Sequence, residues 1–190
     1  GVGKLSKSIA FIGAGNMAGA IIQGLVENGA DPKLITASNP SQQKLEKLAL
    51  QCGIKTTNDN LKAAERAEVI VLGIKPQKLP DVCQYLGQLD LSGKLIISVA
   101  AGVTVGTIAK YLDQPVAIVR AMPNTPATVS AAATGMYANQ ATNQAQRQIT
   151  EAIFTAIGLF VCVIGLILYQ RVASKEELDR EHEEGQKTQG

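Results

Sequence analysis

The sequence predicts an α/β protein built on a doubly wound, mainly parallel sheet. Three observations predict it. Short apolar runs alternate with helical stretches from Ile9 onward. Several of those runs are apolar at nearly every position, as strands covered on both faces are. A glycine-rich turn, Gly13-Ala14-Gly15-Asn16-Met17-Ala18, joins the first run to the first helix.

The elements follow in order. Ser8 to Ile12 is long enough for one buried strand. The pattern G-x-G-x-x-A then opens a helix from Met17 to Glu27, which Asn28-Gly29 closes. Gly13 permits the tight turn, Gly15 lets a pyrophosphate approach the backbone, and Ala18 lets helix and strand pack closely. The free N–H groups and positive end of that helix then face the phosphates. Set between a strand and a helix, this is a Rossmann-type dinucleotide signature; alone it would be only a glycine turn.

Leu34 to Ala37 is a second strand, ending at Ser38-Asn39-Pro40-Ser41. NAD-binding proteins usually carry an acid here for the ribose 2′-hydroxyl, and none is present. Ser38, Asn39 and Ser41 offer hydrogen bonds to a 2′-phosphate and Lys44 offers charge. NADP(H) is therefore preferred as the cofactor, with NAD(H) as the alternative. The same residues also turn the chain and cap the next helix.

Gln42 to Gln51 reads as a helix, Ile54 to Thr56 as a strand and Leu61 to Arg66 as a helix entered through Asn58-Asp59-Asn60. Glu68 to Gly73 is the fourth strand. Ile74-Lys75-Pro76 follows at its carboxyl end, where such sheets bind ligands. Lys75 is thus a candidate cofactor contact, though taken alone it is an ordinary solvated lysine. Leu79 to Leu89 is helical and Lys94 to Val99 is the fifth strand. The small residues Ala100-Ala101-Gly102 then allow close approach. Thr104 or its neighbour caps a helix from Val105 to Leu112, and Val116 to Arg120 is the sixth strand. Ala121 to Pro126 forms an irregular, rigid loop at another carboxyl strand end, a candidate to hold a nicotinamide or the edge of a substrate. Gly135 to Ala138 is a seventh strand and Thr142 to Ile157 a helix.

Bulk properties narrow the class. The chain has 190 residues, 46% apolar and 18% charged, with a net charge of +2. That balance gives no nucleic-acid footprint. Cys52, Cys83 and Cys162 are far apart and form no metal spacing, so a reducing, cytoplasmic setting fits best. The only histidine, His182, lies in a charged tail. No residue stands out as a catalytic acid or base, and no secretory leader precedes Ile9.

The succession Phe11 to Ala18 (FIGAGNMA), Gly73 to Gln77 (GIKPQ), Ser98 to Gly102 (SVAAG) and Arg120 to Ala127 (RAMPNTPA) resembles pyrroline-5-carboxylate reductases. The resemblance runs from about Ile9 to about Val163. It implies NAD(P)H-dependent reduction of Δ1-pyrroline-5-carboxylate to L-proline, the last step of proline synthesis. It also implies site roles. Gly13, Ala14, Gly15, Asn16 and Met17 would hold the pyrophosphate, and Ser38 would meet the adenosine ribose or its phosphate. Asn60 would contact the adenosine portion, and Ile74, Lys75 and Pro76 would line the dinucleotide. Ala100, Ala101 and Gly102 would border the nicotinamide, with Met122 to Asn124 beside the substrate.

After Val163 the resemblance stops. The family continues into a helical domain that binds the substrate carboxylate through a Ser-Gly-Ser-Gly-Pro-type segment and builds the homo-oligomer. No such segment appears in this chain. The expected organisation is a Rossmann-like NAD(P)-binding domain over 1–164 and a charged tail, partly disordered, over 165–190. The tail leaves one ambiguity. Ala152 to Tyr169 just meets the length of a membrane span, but a helix end at Gly158 followed by a strand is the favoured reading. A dinucleotide-binding module without catalysis, a membrane-anchored variant and a related imine or keto-acid dehydrogenase remain as alternatives.

Overall fold

A computed structural model of the chain describes residues 6–122, 135–138, 143–146 and 148–149. Seven strands form one sheet: β1 (Ile9–Ile12), β2 (Ile35–Ser38), β3 (Lys55–Thr57), β4 (Val69–Leu72), β5 (Leu95–Ser98), β6 (Ala117–Met122) and β7 (Gly135–Ala138). Their order is β3-β2-β1-β4-β5-β6-β7, and every pairing is parallel except β6 with β7. The doubly wound, mainly parallel architecture read from the sequence is borne out.

The apolar runs explain the layering. Successive residues of a strand point to opposite faces, so a run apolar at every position demands cover on both. Ile9, Phe11, Val69 and Val71 pack on one side with Ile22 and Leu25 of α1 (Asn16–Glu27) and Leu45 of α2 (Gln42–Cys52). Ala10, Ile12, Ile70 and Leu72 pack on the other. Their partners come from α3 (Asn60–Glu65), α4 (Leu79–Leu86) and α5 (Val105–Leu112). The register aligns Ile12 with Ser38 and Leu72, and Leu72 with Ser98. The loops that leave these residues therefore emerge side by side at one edge.

Most element ends lie within a residue or two of the sequence reading; one helix end, one strand end and one strand direction need comment. The helix expected to reach Leu89 ends at Leu86. There a Cβ on Gly87 would stand 2.6 Å from the Leu112 carbonyl oxygen, so α4 closes against the end of α5. Gln114 then holds the exit: its side-chain amide Nε2 donates to the Gly87 and Leu89 carbonyls at 3.1 and 2.7 Å. Its Oε1 accepts from the Leu91 N–H at 2.9 Å. The sixth strand runs on to Met122, because Ala121 and Met122 pair with Met136 and Gly135. The seventh strand lies antiparallel. A parallel neighbour needs a crossover, usually helical, and Pro123 and Pro126 in the intervening sequence disfavour one.

Of the helix expected over Thr142 to Ile157, residues 144–146 and 148–149 are helical, and Ile149 packs against the α1 and α2 side of the sheet. Pro123, Asn124, the run from Ala152 to Tyr169, the boundary near 164 and the charged tail lie outside the described residues. Among the described residues no helix is long and apolar enough to cross a membrane.

The three bonds of Gln114 make a direct test. Gln114→Ala is expected to lower the unfolding free energy by about 2 kcal/mol at an unchanged denaturant slope, since buried turn groups lose their partner. Unchanged stability in urea unfolding would show that the turn does not depend on this side chain.

Candidate functional site

The chain leaves β1 and turns to one side of the sheet, then returns through β4 on the other. Between β1 and β4 lies the point where the strand order reverses, the place where open α/β sheets leave a crevice. The loop after β1 is tied to both neighbours by main-chain bonds. The Ser38 carbonyl, at the end of β2, accepts from the N–H groups of Gly13 and Ala14, each at 3.0 Å. The Ile12 carbonyl accepts from the Gly73 N–H, just past β4, at 2.9 Å.

The glycines of this edge serve different ends. Gly13 has φ of +76°, and a Cβ there would lie 2.8 Å from Ile74 Cγ1 and 3.1 Å from the Gly73 oxygen. Turn geometry and packing both require glycine. Gly73 faces the same contact: its Cβ would stand 3.3 Å from both Ala18 Cβ and the Gly13 oxygen. Sequence reasoning gave Gly73 as a strand end and as the start of the GIKPQ motif, and assigned it no packing role. A glycine closing the strand beside a G-x-G turn was the available signal. Gly15 is unlike both. Its φ of −83° suits any residue, and its nearest neighbour to an added Cβ is 3.9 Å away. The fold does not need glycine here, so the missing side chain leaves open space above the turn.

That space faces the start of α1. Gly15 is the residue before the helix and donates to the Gly13 oxygen at 2.7 Å; Gly19 makes the first intrahelical bond, to Gly15, at 2.8 Å. The N–H groups of Asn16, Met17 and Ala18 fall in the first turn, where no intrahelical acceptor exists. Gly15 brings no capping side chain, and the first turn holds no acid. Asn16 and Met17 are exposed. Three aligned donors with the positive end of a helix make an anion cradle.

Beside the cradle, polar side chains join the loops. Ser38 is fully buried and its hydroxyl donates to Asn60 Oδ1 at 2.6 Å. Asn39 Nδ2 donates to the Ala14 carbonyl at 3.0 Å, while its Oδ1 accepts from the Ser41 N–H at 2.8 Å. Asn58, not singled out by the sequence reading, donates through Nδ2 to the Asn39 carbonyl at 2.9 Å. Ser41 caps α2 by accepting from the Lys44 N–H at 3.4 Å.

The remaining candidates lie along the same edge. Ile74 is partly buried against the core while Lys75 and Pro76 are exposed. Beyond β5, Ala100 is buried and donates its N–H to Ser98 Oγ at 3.3 Å; Ala101 and Gly102 are exposed, with Gly102 at φ of +73°. The Met122 backbone ends β6, three strands from β1. The structure thus brings Gly13 to Met17, Ser38, Asn39, Asn60 and Ile74 into one assembly, with Ala100 to Gly102 at its flank. Cys52 and Cys83 are buried free thiols away from it. Burial raises the titration point of Cys52, helped by the Glu27 charge, and pushes Cys83 up to about 11, so neither is a ready thiolate.

Residues 8–102 match the family model described as NADP oxidoreductase, coenzyme F420-dependent. The chain belongs to this family. A pyrroline-5-carboxylate reductase of Vibrio alginolyticus is 41% identical over 152 residues, covering 80% of this chain and 56% of the relative. One from Pasteurella multocida is 42% identical over 157 residues, covering 80% and 57%. The solved structure of a pyrroline-5-carboxylate reductase from Coxiella burnetii superposes with a TM-score of 0.78 at 44% identity, covering 82% of this chain and 58% of that one. The likeness read from the motifs is borne out over this region. The chain spans about three-fifths of the length of the relatives it matches.

The contrast between the glycines is testable without any ligand. Gly13→Ala is expected to cost about 2 kcal/mol or more of unfolding free energy, from overpacking and a strained φ. Gly15→Ala should leave stability unchanged or raise it by up to about 1 kcal/mol. Equal losses in the two variants would contradict the assignment of Gly15 to open space.

Proposed function

We propose that this edge binds NADP(H), and that the protein reduces Δ1-pyrroline-5-carboxylate to L-proline. The observation that carries the reading is the cradle: three first-turn amides at the strand switch point, beside a glycine the fold does not need. The identity to pyrroline-5-carboxylate reductases across most of the chain supports the substrate, and the family description supports NADP.

The residues present fit a dinucleotide. Asn16, Met17 and Ala18 would bind the pyrophosphate through their N–H groups, with Gly13 and Gly15 leaving room for its oxygens. Asn39 and Asn60 stand at the adenosine end, and Ser38 holds Asn60 in place. Ile74 to Pro76 would cover the middle. Ala100 to Gly102 and the Met122 to Asn124 segment would border the nicotinamide and the substrate ring. When bound, the nicotinamide would supply hydride to C5 of the cyclic imine. A protonated imine accepts hydride readily, so the protein's part is to align two rings, with little acid–base work. In this reading residues 1–164 form the nucleotide domain and 165–190 a separate charged segment.

A single titration tests the proposal. Nicotinamide fluorescence of NADPH and NADH is followed as purified chain is added, and pyrroline-5-carboxylate is then supplied. NADPH is expected to bind about tenfold more tightly than NADH, the worth of one charge-assisted hydrogen bond to a 2′-phosphate. Oxidation on adding the imine would support the reductase reading. Binding without oxidation would favour a dinucleotide module that does not turn over alone, and a folded chain that binds neither would overturn the proposal.

A further inference from the structure

We propose that Asn39 is a positioning residue: it sets the direction of the phosphate-binding turn from behind instead of reading the 2′-phosphate. The inference rests on the dinucleotide reading above and assigns Asn39 a different task within it. Both ends of the Asn39 side chain are already engaged, Nδ2 with the Ala14 carbonyl and Oδ1 with the Ser41 N–H. Its own carbonyl is held by Asn58.

The consequence follows from planarity. A trans peptide is a rigid plane, so holding the Ala14 carbonyl fixes the direction of the Gly15 N–H. The peptide on the other side of Ala14 is fixed as well, because the Gly13 and Ala14 N–H groups share the Ser38 carbonyl. Residues 38 and 39 together therefore set the plane on each side of Ala14. Gly13 and Gly15 flank that residue and resist rotation least. Without the Asn39 amide the Ala14–Gly15 peptide is held only through its N–H, by the bond from Gly15 to the Gly13 oxygen at 2.7 Å, and turns more readily. A turned peptide presents a carbonyl oxygen, not donors, toward an anion on α1.

Two substitutions separate positioning from direct reading. Asn39→Ser keeps a hydroxyl that reaches the Ser41 N–H, and one that would serve a 2′-phosphate, but it is too short for the Ala14 carbonyl. Asn39→Asp keeps the acceptor for Ser41 and sets an oxygen against the Ala14 carbonyl. An acid at this position would favour the ribose 2′-hydroxyl of NADH if the side chain faced the ribose. Positioning predicts that Asn39→Ser weakens NADPH and NADH by the same factor, about tenfold, and that Asn39→Asp also weakens NADH. Asn39→Ser weakening NADPH alone, or Asn39→Asp tightening NADH, would overturn the proposal.

A ligand-free readout keeps the two claims apart. In the full chain without cofactor, amide exchange at Gly15 should quicken about tenfold in Asn39→Ser while exchange in the β4 and β5 amides stays as in the unsubstituted chain. Unchanged exchange at Gly15 would overturn the positioning role even where cofactor binds. Failure of the unsubstituted chain to bind either cofactor would instead overturn the functional reading.

Discussion

The structure turns on a main-chain joint at the carboxyl end of β1. Three strands are tied there within a few residues. The Ser38 carbonyl takes two amides of the turn after β1, and the Ile12 carbonyl takes the amide of Gly73 after β4. Gly13 makes this joint possible, since a Cβ there would lie 2.8 Å from Ile74 Cγ1, and Gly73 eases it, since its Cβ would crowd Ala18 and the Gly13 oxygen at 3.3 Å. The close approach places α1 with its first turn at the reversal point of the sheet. Every other candidate contact is measured outward from that helix end.

Electrostatics then follow from what is missing. A helix N-terminus ordinarily has its first amides met by a capping side chain or an acid. Gly15 offers no cap and residues 16–18 carry no acid. The neighbouring polar side chains bond to each other or to the backbone and leave the amides open: Ser38 with Asn60, Asn39 with Ala14 and Ser41. A network that satisfies its own members while leaving one row of donors open is preorganised for an anion.

Much of this was legible in the sequence. Burial of the central strands on both faces made their apolar runs readable, and the glycine pattern marked the turn that opens α1. The motifs FIGAGNMA, GIKPQ and SVAAG fell on three neighbouring strand ends, as a parallel sheet requires. What the sequence hid was direction. Ser38 and Asn39 are candidate ligand contacts in the sequence because short polar residues end a strand there. A linear reading does not show that the Ser38 hydroxyl turns inward to Asn60, or that Asn39 reaches back twenty-five residues to Ala14. The early end of α4 was hidden for the same reason: it is set by Leu112 and Gln114, far along the chain. The antiparallel β7 was also unreadable, since strand propensity carries no sense of direction.

The central claim is that the first-turn amides of α1 receive the phosphates of a dinucleotide. The most direct measurement is an amide NMR titration of the chain with NADPH. The account predicts that the largest shifts fall on Gly15, Asn16, Met17 and Ala18, with smaller ones at Ile74 and Ala100 to Gly102. Saturable binding that leaves residues 15–18 unmoved, with its largest shifts at the opposite edge of the sheet, would contradict it.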